Sequence, residues 1–195
     1  MHFLPDTGDE DAASERYWPD GYKQVIRQEV GQAIRPQLNE RTLGHVYTNK
    51  FSHQYPNLEA FIDRIVDLVV IGAENGADLG FEAIYKSFLN ESPLPQAKQY
   101  SSYFWPHFLT GERKEKIQKA IAEEYSREEG FQYAFQVGYA KKYENFAEFI
   151  KEISRLMVTG MVNGVDDMLG KIYKSFLANR DLPLGRRNPK RLKEW

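Results

Sequence analysis

The residues best suited to chemistry in this chain occur twice. Tyr85-Lys86-Ser87 returns as Tyr173-Lys174-Ser175, and Asn75-Gly76-x-Asp78 returns as Asn163-Gly164-x-Asp166. Asn75, Asp78, Tyr85, Lys86, Asn163, Asp166, Tyr173 and Lys174 supply amides, carboxylates, phenols and ammoniums, the groups that fix a polar ligand or a partner surface. If the two copies face each other, these side chains meet across a pseudo-twofold axis as a two-sided polar pocket. A plainer reading makes them structural: Asn-Gly turns the chain, Asp caps the next helix, Tyr fills the core and Lys covers a surface.

Other chemistry finds little support. None of His2, His45, His53 and His107 is spaced from another at i+3 or i+4, so no two share a helical face for a metal. The Glu-x-x-His pair of di-iron bundles is missing, with Thr42 and Lys50 where the glutamates belong. Residues 164–171 resemble a phosphate loop, but five residues separate Gly164 from Gly170, and Ile172 stands where Ser or Thr must hold magnesium. Asp63/Asp67, Glu144/Glu148 and Glu148/Glu152 are carboxylate pairs at helical spacing, and they read as a solvated face. No catalytic residue, metal site or cofactor is expected. The absence of cysteine rules out disulfides and a thiolate nucleophile.

Charge is uneven along the chain. Residues 1–16 carry five acids against Arg16, whereas residues 185–195 set Arg186, Arg187, Lys190, Arg191 and Lys193 against Glu194. That tail, ending in Trp195, is the one stretch with the composition to attract nucleic-acid phosphate and stack on a base. The body is not a polyanion-binding surface. Hydrophobic residues at 42% and charged residues at 28% suit a packed globular protein. The most apolar run, residues 68–73, is far shorter than the roughly 20 residues a membrane helix needs, and no secretion signal opens the chain. A cytoplasmic protein without a membrane span is expected.

The elements that must position these residues follow from a repeat. Shifted by 88 positions, residues 84–89 match residues 172–177 without exception, and 19 of the 41 positions in 55–95 are identical to those in 143–183. Upstream the likeness fades, although Trp18-Pro19 recurs as Trp105-Pro106. The chain therefore divides into an acidic arm (1–16), a first unit (17–96), a connection (97–104), a second unit (105–184) and a basic tail (185–195). Two long units suit a packed pseudo-twofold pair better than a solenoid, beads on a linker being the alternative.

Within each unit, apolar residues recur every three to four positions, as in Leu58, Phe61, Ile62, Ile65, Leu68 and Val69, the stripe of an amphipathic helix. Val25, Val30 and Ile34 predict an earlier helix ended by Pro36. Aromatic ladders at i, i+4 follow: Tyr47, Phe51, Tyr55 and Phe135, Tyr139, Tyr143. Asn-Gly predicts a break at Asn75-Gly76 and Asn163-Gly164, with Asp78 and Asp166 capping a further helix that turns Ile84, Tyr85, Phe88 and Leu89 inward. The rival is one long helix in which Gly72, Gly76 and Gly80 let another backbone come close. The break implies about four helices per unit, eight in all, in an all-α fold. The function expected is non-enzymatic protein-protein interaction, as an adaptor, inhibitor or immunity-type partner. The alternatives are a ligand-binding or enzymatic protein using the duplicated clusters, and nucleic-acid binding through the tail.

Overall fold

The computed structural model describes residues 18–96, 98 and 107–188, so the acidic arm, Trp105-Pro106 and the end of the basic tail lie outside the described residues. Tyr22, Ile26, Val30 and Ala33 bury one face of α1 (Tyr22–Ile34), and Pro36 closes it in a single 3-10 turn. A reciprocal capping box between Asn39 and Thr42 starts α2 (Glu40–Val46), which runs into a π turn over Tyr47–Phe51. Asn57 then accepts the Ala60 amide and starts α3 (Leu58–Leu89).

Thr110 caps α4 (Gly111–Tyr125); α5 (Glu129–Ala134) runs into a π turn over Phe135–Tyr139; and Asn145 caps α6 (Phe146–Ala178) by accepting the Glu148 amide. There are six α-helices and no strand among the described residues. None of these helices is long and apolar enough to cross a membrane. The six replace the eight expected because each predicted pair of helices around Asn-Gly is a single continuous helix.

That continuity has a steric cause. α3 and α6 cross antiparallel with their main chains in contact: Gly72 lies beside Gly164 and Met168, and Gly80 beside Leu156 and Met157. A Cβ on Gly72 would sit 2.8 Å from the Gly164 carbonyl oxygen, and one on Gly76 or Gly164 would run into the carbonyl of Gly160 or Gly72. Each mid-helix glycine costs about 1 kcal/mol against alanine, and close packing of two long apolar helices outweighs it. The glycines serve the crossing and leave the helix intact. Asp78 and Asp166 are accordingly mid-helix residues, both buried, and cap nothing.

α1 lies on α3, α4 on α6, and α1 on α4, around one continuous core that draws residues from both halves. The aromatic ladders line its two ends. Phe88 of α3 packs against Tyr139 and Phe149, and Phe176 of α6 packs against Phe51 and Phe61, so each long helix finishes among aromatics that precede or open the other. Ile84 and Phe88 are buried as expected, whereas Tyr85 is half-buried and Leu89 is 45% exposed. Leu89 falls on the side of α3 away from the glycines of the crossing.

Candidate functional site

A groove of about 800 Å³ runs beside the crossing of α3 and α6. Gly72, Gly76, Gly160 and Gly164 form its floor. Asn75, Thr159, Asn163 and Asp166 supply polar walls, Leu79 an apolar one, and Asp167 with Lys171 an ion pair at 2.9 Å. The groove is thus lined by amides, a hydroxyl, carboxylates and ammoniums, groups able to donate or accept hydrogen bonds. Leu79, 62% exposed, offers it apolar surface.

Two extended stretches of the chain border the groove, each in contact with the asparagine of the opposite long helix. Beyond α6, Asn75 Nδ2 donates to the Arg186 carbonyl at 2.8 Å while its Oδ1 accepts the Asn188 amide at 3.0 Å. Beyond α3, Asn163 Nδ2 donates to the Lys98 carbonyl at 2.9 Å. An amide side chain satisfies an extended main chain in this way whatever the sequence, because every residue except proline offers the same N-H and C=O.

The duplicated polar residues are only partly gathered here. Asn75, Asn163 and Asp166 line the groove. Asp78 points instead to α1, where Lys23 Nζ donates to it at 3.0 Å. Tyr85 stacks on Phe81 and meets Trp18 edge-on. Lys86 pairs with Glu82 one turn back on the exposed side of α3, and Tyr173 and Lys174 are exposed on α6. On an ideal helix Asn75, Asp78, Tyr85 and Lys86 fall within one arc of about 100°, but at about 1.5 Å of rise per residue Tyr85 and Lys86 stand roughly 15 Å along the axis from Asn75, too far to gather at one point of the groove.

Two buried carboxylates escaped the sequence reading. Glu29 is held by Arg113 at 2.8 Å and Lys116 at 3.7 Å, tying α1 to α4. Glu74, 2% exposed, receives Arg27 from α1 and Arg187 from beyond α6, the latter at 2.8 Å. That bond, followed by the attraction of Glu74 and Asp67, raises the Arg187 pKa, so its charge is secure at every accessible pH. The available signal was an acid on an apolar stripe: Glu74 follows Val70, Ile71 and Ala73, where only a paired carboxylate is tolerated.

Of the basic-tail candidates, Arg186 is exposed and Arg187 is paired with Glu74 and Asp67, while Lys190, Arg191 and Lys193 lie outside the described residues. Among the described residues no group of three or more His, Asp or Glu is arranged to hold a metal ion. Tyr139 has the most displaced phenol: burial first, then Tyr143, push its pKa up to about 12, and its hydroxyl donates to the Ser92 carbonyl at 2.6 Å. No protein-family model, curated protein or solved structure matches the chain.

Proposed function

We propose that this chain is a non-enzymatic interaction protein, a tandem pair of helical units folded with pseudo-twofold symmetry, whose groove over the α3-α6 crossing receives a segment of another protein. The observation that carries the reading is the pair of asparagines at the groove. Asn75 and Asn163 already hold extended main chain, and the glycine floor lets an occupant lie close to the helix axes. The exposed Leu79 beside polar walls is the mixture found at protein interfaces.

The test compares the wild-type chain with Leu79→Arg as bait for affinity capture and mass spectrometry. Leu79 is exposed, so the substitution leaves the core alone. A stoichiometric protein retained by wild type and lost by Leu79→Arg supports the reading. Equal capture by both baits counts against the groove.

A second reading, binding of a small polar ligand, draws on the same groove because Asn75, Asn163 and Asp166 converge there with the Asp167-Lys171 pair. A metabolite that copurifies with the wild-type chain in place of a protein would favour it. Nucleic-acid binding has weaker support, since Arg187 is committed to Glu74 and Asp67. That reading requires steeply salt-dependent DNA or RNA binding that disappears when residues 185–195 are removed.

A further inference from the structure

We propose that the face of α3 carrying Arg64, Glu74 and Asn75 is a receptor for an extended basic peptide with a glycine followed two residues later by an arginine, and that residues 184–188 are its resident, displaceable occupant. Most of the recognition is of main chain. Arg64 Nη2 donates to the Leu184 carbonyl at 2.8 Å, and Asn75 grips the chain on both sides of Arg187. This is how a strand is held in place without regard to its sequence.

Sequence enters at two points. Gly185 has φ +63°, and a Cβ there would collide with Leu68 while coming within 3.3 Å of Ile71 Cδ1, so only glycine fits. Arg187 reaches the buried Glu74 at 2.8 Å and Asp67 at 3.5 Å. A buried carboxylate with a half-exposed arginine as partner selects for a guanidinium, which can form two bonds from one plane.

The segment has little else to keep it there. Leu182 is buried, but Leu184 is 74% exposed, and Arg186 and Asn188 are exposed as well. Beyond Leu182 the attachment consists of Gly185 seated against Leu68 and Ile71 and of polar contacts open to water on one side, the kind that opens before the core does. A partner with the same glycine and arginine and one apolar anchor would displace it by mass action. The receptor belongs to α3 alone: 88 positions on from Arg64, Asp67 and Glu74 stand Glu152, Arg155 and Val162, so α6 keeps the asparagine and lacks the acidic seat.

The experiment uses the full-length chain with Arg187→Glu, which sets a carboxylate against Glu74 and Asp67, and a fluorescent peptide Pro-Leu-Gly-Arg-Arg-Asn added in trans. Fluorescence anisotropy should show the peptide binding the variant roughly tenfold more tightly than wild type, whose site is filled. The peptide with alanine in place of its glycine should not bind. No binding to the variant, or equal binding of the alanine peptide, overturns the proposal. Should the variant not fold, hydrogen exchange in the wild-type chain decides: the Asn188 amide should exchange about a hundredfold faster than buried α3 amides, and equal protection would make the segment part of the core.

Discussion

Gly76 and Gly160 face each other where α3 and α6 cross, and a Cβ on either would meet the other's carbonyl oxygen. Neither helix backbone can retreat without losing the apolar contacts on both sides of the crossing. Gly76→Ala and Gly160→Ala are therefore expected to destabilise the fold by about 2 kcal/mol or more, despite alanine's higher helix propensity. Gly31 of α1 has only ordinary contacts, the nearest being Val70 at 3.8 Å, so Gly31→Ala should stabilise by up to about 1 kcal/mol. Urea unfolding midpoints of the three variants check both signs.

Asp78 and Lys23 form an ion pair with side chains 5% and 12% exposed. Asp78→Ala leaves the lysine ammonium in a low-dielectric seat without this partner, and the expected loss is about 3 kcal/mol. A helix cap at that position would have cost only about 1 kcal/mol. Replacing both residues, Lys23→Met with Asp78→Leu, should cost less than Asp78→Ala alone, because no charge is then left behind. Chemical denaturation of the single and double variants tests the ordering.

The Tyr139 hydroxyl is expected to make stability fall at alkaline pH. An ordinary tyrosine ionises near pH 10, whereas the folded chain holds this one up to about 12. Above pH of about 10 the unfolded chain gives up a proton that the folded chain keeps, so the stabilisation is complete below that pH and is lost as pH rises toward 12. Tyr139→Phe should remove this part of the alkaline slope. At neutral pH it should cost about 1 kcal/mol, since the Ser92 carbonyl loses its donor. Thermal unfolding of both proteins across the alkaline range measures the difference.

Asn75→Ala should loosen residues 186–188 without unfolding the bundle, because Asn75 bonds only to that segment's main chain in the bracket it forms. The expected signature is faster hydrogen exchange at the Asn188 amide, with the buried amides of α3 unchanged. A global fall in protection would mean that the segment and the bundle unfold together.

The sequence by itself determined the helical class, the long apolar stripes of α3 and α6, and the proline that ends α1. These are local properties: periodicity and the geometry of proline act within a few residues, so one chain read alone displays them. The path through Asn75-Gly76 and Asn163-Gly164 was decided elsewhere. Locally those residues favour a turn, and the helix continues because a second glycine-bearing helix lies across it. The groove, the asparagines' grip on distant main chain and the seating of Glu74 between Arg27 and Arg187 join residues 47 to 113 positions apart. Only the tertiary structure could decide those contacts, because each depends on which helix faces which, a choice made by packing rather than by any local preference.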